Sequence, residues 1–188
     1  KIRQPNESKD MLQTTAKGVV LITGGQGGIG FELAKYLASK KYKNIALIGR
    51  RKEVMEHRFS EMQKLRLSGV EMEYFSADIS DFSQMEKIVS VLREKHGNII
   101  GVIHSAGIAG SGVLVTKRKE VFDNVIRPKI LGTLVLNELC QNDQLDFFVS
   151  CSSLTAEYGS LGQADYAAGN AFLTAYAYQL NRKGIKAL

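Results

Sequence analysis

Five short apolar runs punctuate the sequence: GVVLIT (18–23), NIALIG (44–49), VEMEYFSAD (70–78), NIIGVIHSAG (98–107) and QLDFFVSCSS (144–153). Each is followed by a longer segment with apolar residues at helical spacing, over 29–41, 50–69, 81–97, 116–140 and 162–184. Short apolar runs bounded by turn residues read as strands, and the segments between them as amphipathic helices. A strand that returns through a helix pairs in parallel by a right-handed crossover. The expected fold is therefore α/β, a doubly wound parallel sheet of the Rossmann type, which binds ligands at the carboxyl ends of its strands. The closing IKAL reads as the start of a sixth strand, so one sheet edge and the cover of the pocket are expected beyond it. Residues 1–17 read as a polar leader or the remnant of a preceding domain, and residues 18–188 as one α/β domain.

Composition narrows the function classes. At 188 residues and 44% hydrophobic, the chain has material for one substantial core. No apolar stretch approaches the roughly 20 residues that cross a bilayer, and the polar start carries no signal core, so a soluble, cytoplasmic protein is expected. Cys140 and Cys151 lack metal-like spacing and read as small core residues in a reduced compartment, without a disulfide and without a metal. The formal charge is +6, and residues 1–70 hold 14 Lys and Arg against 6 Asp and Glu. No basic run is interleaved with aromatics, and the lysines of LAKYLASKKYK fall on the polar face of a helix, which argues against nucleic acid as a partner. A basic surface does suit an acidic protein partner.

The first strand ends in TGGQGGIG, Thr23 to Gly30, with five glycines in eight positions. A glycine turn that follows a strand and opens a helix is the setting of dinucleotide binding: Gly24, Gly28 and Gly30 let a pyrophosphate lie against amides at the helix N-terminus. Thr23, Gly25, Gln26, Gly27 and Ile29 complete the candidate turn. After the second strand, Arg50 and Arg51 stand where an NAD site places an acidic residue; arginine there accommodates a 2′-phosphate and points to NADPH. Two cations at a helix N-terminus also oppose its dipole unless an anion is near. Asp78 and Ile79 are positioned to bond and cover an adenine, with Asp78 or Ser80 as a helix cap the competing reading. Ser105, Ala106 and Gly107 have the small side chains that let a nicotinamide ribose approach the backbone.

Together, TGGQGGIG, ADISD, HSAG, RPKILG and CSS followed thirteen residues later by the tyrosine of GQADYAAGN resemble the ketoreductase domains of modular polyketide synthases and of animal fatty acid synthase. These belong to the short-chain dehydrogenase/reductase family. The resemblance covers about residues 18–188. Ordinary members carry lysine four residues after the tyrosine; here Asn170 stands there and Lys129 occupies the helix position where they have asparagine, an exchange that marks the ketoreductase domains. The resemblance implies Tyr166 as proton donor, Ser153 as the group orienting the carbonyl, Lys129 as the supporting cation and a ribose ligand, and Asn170 as an orienting residue. The chemistry is coherent: a carbonyl accepting hydride becomes an alkoxide and needs a proton, and a cation about 4 Å from a phenolate, at an effective dielectric of about 20, stabilises it by roughly 4 kcal/mol before desolvation. His104, at an apolar strand end without a carboxylate at triad spacing, reads as structural.

The implied reaction is the NADPH-dependent reduction of a β-ketoacyl thioester, carried on the phosphopantetheine arm of an acyl carrier protein, with neighbouring synthase domains as further partners. Ketoreductases of D-hydroxy outcome usually have LDD where this chain has Ala109-Gly110-Ser111. Those of L-hydroxy outcome have tryptophan at the position of Tyr158, and Gln163 agrees with their non-epimerising subgroup, so the expected product is of the L-hydroxy, A-type kind. Two other readings compete. A free-standing carrier-protein reductase keeps the lysine that Asn170 replaces. A non-catalytic cofactor-binding domain of a synthase does not require Tyr166, Ser153 and Lys129.

Overall fold

The computed structural model describes residues 18–188; the polar leader lies outside them. The fold begins with β1 (Val19–Thr23), α1 (Gly28–Ser39), β2 (Asn44–Gly49), α2 (Glu56–Leu67) and β3 (Glu71–Ser76). It continues with α3 (Phe82–His96), β4 (Ile99–His104), a 3-10 turn (Leu114–Thr116), α4 (Lys119–Cys140), β5 (Phe147–Ser150), α5 (Thr155–Tyr158) and α6 (Ala164–Arg182). All strands pair in parallel in the order β3-β2-β1-β4-β5. The order reverses beside β1, which opens a crevice at the carboxyl ends of β1 and β4.

Alternation along β1 divides the core. Val19 and Leu21 face the layer of α3, α4 and α6, whereas Val20 and Ile22 face Phe31, Ala34 and Leu37 of α1 and Met62 of α2. The central strand is buried from end to end, as a sheet covered on both faces requires. Where a sixth strand is expected, the chain forms one isolated parallel bridge, Phe148 with Ala187, and Phe148 N donates to Lys186 O, Leu188 N to Phe148 O and Ser150 N to Leu188 O. Cys140 is buried and Cys151 half-buried, both as free thiols. Among the described residues no helix is long and apolar enough to cross a membrane.

The helix expected over 50–69 is shorter than its sequence pattern. It starts at Glu56, because residues 50–55 are held in an irregular segment by side chains from elsewhere in the chain. Its end agrees with expectation: Ser68 is the C-cap and Gly69 follows at φ +88°. The helix expected from residue 116 starts at Lys119, after the 3-10 turn.

Candidate active site

A cleft of about 750 Å³ lies over the carboxyl ends of β1 to β4. Gly24, Gln26 and Gly27 line it from the glycine turn, Arg50 and Arg51 from beyond β2, and Ala77, Asp78, Ile79 and Ser80 from beyond β3. Ser105, Ala106, Gly107 and Ile108 contribute from beyond β4, and Asn124, Arg127 and Pro128 from α4. Thr23, Gly25, Gly28, Ile29, Gly30, Lys129 and Tyr166 do not line it.

The five glycines of the turn are there for different reasons. Gly24 sits at φ +67°, and a Cβ on it would lie 2.7 Å from Ser105 O. Gly25 and Gly30 are close-packing positions: a Cβ would stand 2.7 Å from Leu47 Cβ in the first and 2.6 Å from Ser105 Oγ in the second. Gly28 has nothing within 4 Å, and Ile29 is largely exposed. The N–H groups of Gly28, Ile29 and Gly30 donate to none of the described residues, and Gly27 at the N-cap offers no side chain. Unspent donors at a helix N-terminus, beside open space, fit a pyrophosphate.

Fully buried Thr23 organises the opposite wall. Ala106 N donates to Thr23 Oγ1 (3.3 Å) and Ser105 Oγ donates to Thr23 O (2.6 Å), so β1 fixes the loop that follows β4. The Thr23 hydroxyl, with no other acceptor, donates to His104 Nδ1 at 2.7 Å. That assignment leaves the His104 proton on Nε2, which makes no hydrogen bond of ordinary geometry among the described residues, although the Pro128 and Lys129 carbonyls lie close enough to the ring to favour its charged form weakly. Burial, and after it the nearby Lys129 ammonium, push the imidazole down to about 4. His104 is a neutral structural group, as its sequence setting implies.

The arginines differ from expectation in their setting. Arg50 and Arg51 are exposed and stand several residues before α2 begins, so the opposing helix dipole no longer bears on them. Their guanidinium groups pair with no acid among the described residues, and both line the cleft. The cap of α3 is Asp81, which accepts from Gln84 N, rather than Asp78 or Ser80. Asp78 accepts from Ser80 N with Oδ1 and keeps Oδ2 uncommitted at the cleft wall. Ile79 is only 3% exposed and spends its side chain in the core, where a Cβ on Gly132 would overlap its Cδ1. That placement removes most of its apolar surface from any bound ring.

Lys129 and Tyr166 come together across α4 and α6. Lys129 is 4% exposed, with Nζ 5.4 Å from the centre of the Tyr166 ring and donating to Cys151 O at 3.3 Å. Its route is narrow: a Cβ on Gly169 would sit 3.0 Å from Lys129 Cδ, and one on Gly107 3.4 Å from Nζ. Gly107 is a cleft residue, so the ammonium stands between the cleft and the tyrosine. Burial holds the Lys129 pKa below the ordinary lysine value of 10.5, with the Cys151 sulfur acting in the opposite direction.

Tyr166 lies half-buried in the first turn of α6, with no hydrogen bond from its hydroxyl among the described residues. Asn170, fully buried one turn later, donates from Nδ2 to Tyr166 O (2.8 Å), and its Oδ1 has no partner. No hydrogen bond joins it to Lys129. Ser153 Oγ accepts from Thr155 N at 3.2 Å, which leaves its O–H to donate; it is not bonded to Tyr166.

Three features escaped the sequence. Lys117 Nζ pairs with Asp165 Oδ2 in the interior, Tyr74 donates to Arg51 O, and both ends of the Gln26 amide are bonded to residues 53 and 55. The one available signal was Asp165 itself, an acid next to the tyrosine in an otherwise apolar and small-residue helix start.

The KR domain family model matches residues 18–188. Polyketide synthase PksM of Bacillus subtilis is 39% identical over 180 residues, covering 96% of this chain and 4% of that protein. A ketoreductase domain from the bacillaene assembly line has the same fold at a TM-score of 0.83 and 36% identity, over 90% of this chain and 42% of its own. The 3-oxoacyl-[acyl-carrier protein] reductase of Brucella melitensis, solved in complex with NAD, follows at a TM-score of 0.75 and 25% identity, over 90% of this chain and 69% of its own. The chain thus spans a small part of the first protein and under half of the second.

Proposed function

The chain belongs to the KR domain family, a branch of the short-chain dehydrogenase/reductase enzymes that use a nicotinamide cofactor, and from that premise we propose that it reduces a β-ketoacyl thioester with NADPH. The proposed substrate hangs on the phosphopantetheine arm of an acyl carrier protein, and neighbouring synthase domains supply and receive it. The observation that carries the reading is the buried Lys129 ammonium, set between Gly107 at the cleft wall and the ring of Tyr166.

The unspent amides of residues 28–30 would hold the pyrophosphate, Arg50 and Arg51 the 2′-phosphate, and Ser105 to Gly107 with Lys129 the nicotinamide ribose. When bound, the cofactor supplies the hydride that adds to the carbonyl carbon. Tyr166 delivers the proton to the carbonyl oxygen from its free hydroxyl, and the Ser153 O–H fixes the direction of that oxygen. Lys129 stabilises the phenolate that Tyr166 becomes. Asn170 holds the tyrosine's turn of α6 through its bond to Tyr166 O and presents Oδ1 to a donor, such as a proton-relay water. Tyr158, Gln163 and the Ala109-Gly110-Ser111 segment support the L-hydroxy, A-type outcome.

The test is to supply NADPH and a simple β-ketoacyl thioester to the purified protein, follow cofactor absorbance and determine the chirality of the product. Oxidation of NADPH with an L-hydroxy product is expected. Tyr166→Phe should still bind NADPH while reduction falls by about 10²- to 10⁴-fold; activity near the parent's would remove this tyrosine from the chemistry.

A further inference from the structure

The segment Arg50–Val54 carries two of the three arginines that line the cleft, Arg127 of α4 being the third, yet has no main-chain hydrogen bond of its own to other main chain among the described residues. Three side-chain bonds hold it and the adjoining start of α2. Gln26 Nε2 donates to Glu53 O (3.1 Å), Met55 N donates to Gln26 Oε1 (2.7 Å), and Tyr74 Oη donates to Arg51 O (2.7 Å). Gln26 is 6% exposed, so both ends of its amide are spent inside the protein even though the residue lines the cleft. Tyr74 reaches over β2 from the opposite side, where only glycine at 49 leaves it room: a Cβ there would lie 3.1 Å from its hydroxyl.

From this geometry we infer that Gln26, assisted by Tyr74, is a positioning residue for cofactor selectivity. It gives the cofactor no hydrogen bond; it fixes the main chain that aims Arg50 and Arg51. The inference rests on the assignment of those arginines to a 2′-phosphate. Two long, exposed side chains on an unsupported segment would sample many directions, and each bond to the phosphate would then carry the cost of ordering the loop. A segment already tied at residues 51, 53 and 55 has met that cost before the ligand arrives. Gln26 lies in the turn expected to hold the pyrophosphate, but its side chain leaves that turn for residues 53 and 55, so its bonds bear on the arginine segment and not on the amides of residues 28–30. NADH has no 2′-phosphate and draws nothing from the arginines, so loss of Gln26 must act on NADPH selectively. A residue needed only for folding would affect both cofactors.

The experiment measures dissociation constants for NADPH and NADH by fluorescence titration, with no turnover required. The proteins are the parent, Gln26→Ala, Tyr74→Phe, the pair Arg50→Ala/Arg51→Ala, and that pair combined with Gln26→Ala. Gln26→Ala is expected to weaken NADPH about tenfold and NADH less than about twofold. Tyr74→Phe removes one hydroxyl and should show a smaller effect of the same selectivity. In the background lacking Arg50 and Arg51, Gln26→Ala should cost no further selectivity, because it acts through those side chains. Equal weakening of both cofactors, unchanged NADPH binding, or a full selective loss without the arginines would each overturn the inference. An arginine pair variant that keeps the parent's NADPH preference would instead overturn the arginine assignment, and the role of Gln26 with it.

Discussion

Lys117 Nζ lies 2.6 Å from Asp165 Oδ2, with the two side chains 2% and 0% exposed. Asp165 precedes Tyr166 and also accepts from its main-chain N–H at 2.9 Å. A Cβ on Gly110 would overlap its Oδ1. The pair therefore ties the loop that leaves β4 through Ser105–Gly107 to the first turn of the helix that carries the tyrosine. Removing one member leaves the other charge buried without its partner, which costs about 3–5 kcal/mol, whereas replacing both by apolar residues is often close to neutral. Lys117→Met should lower stability in chemical denaturation by about that amount, and Lys117→Met with Asp165→Leu should recover most of it. A single variant that costs under about 1 kcal/mol would show that the pair is solvated in practice.

Acid sensitivity should come in part from His104. Its folded-state pKa of about 4 lies below the ordinary 6.5, so between those values the unfolded chain holds a proton that the native chain does not. Stability therefore rises with pH across this window and is lost as pH falls through it, by about 3 kcal/mol in full. The groups acting on the ring are the Thr23 hydroxyl on β1 and, on α4, the Lys129 cation and the main-chain carbonyls of Pro128 and Lys129; the carbonyls favour the protonated ring, but burial and the cation outweigh them. His104→Leu removes the titration. Between pH 7 and pH 4.5 the parent should lose about 2 kcal/mol more stability than His104→Leu, measured by denaturant midpoints at each pH; equal losses would mean that the ring is protonated in place without cost.

The layered α/β order and the glycine turn were legible because both are written in contiguous residues: alternating apolar runs, and a turn that follows one strand and opens one helix. What the sequence hid was set by partners distant along the chain. The pattern of 50–69 is helical throughout, yet Gln26 and Tyr74 hold its first six residues out of the helix from 27 to 29 and 23 positions away. Asp78, Ser80 and Asp81 are equally able caps by residue type, and only the backbone geometry selects Asp81. Ile79 is apolar and placed beside the cleft, but Gly132 opens a niche in α4 that takes its side chain inward. Lys129 and Tyr166 are 37 positions apart in sequence, and their pairing was readable only through family resemblance; nothing local to either predicts a 5.4 Å approach.

The role of Lys129 can be separated from that of an ordinary buried lysine. If its ammonium supports the phenolate, Lys129→Met should lower turnover by about 10²-fold or more, while NADPH affinity, for which the proposal also enlists the amides and the arginines, should change less. Because burial places its pKa below 10.5, the parent should lose activity as pH rises through that lowered value, when the cation is neutralised. Lys129→Met has no such group to lose, and without the cation the Tyr166 phenol ionises less readily, so the alkaline loss of its residual activity should come at higher pH than in the parent. Exchanging the two residues, Lys129→Asn with Asn170→Lys, returns the cation to α6 at a site now fully buried, and partial recovery relative to Lys129→Met is expected. Placement limits that recovery, since a displacement of about 1 Å can cost 10²-fold. The single variant is the decisive one: turnover like the parent's across the pH range would make Lys129 a packing residue between Gly107 and Gly169, and the proton transfer at Tyr166 would need another source of charge.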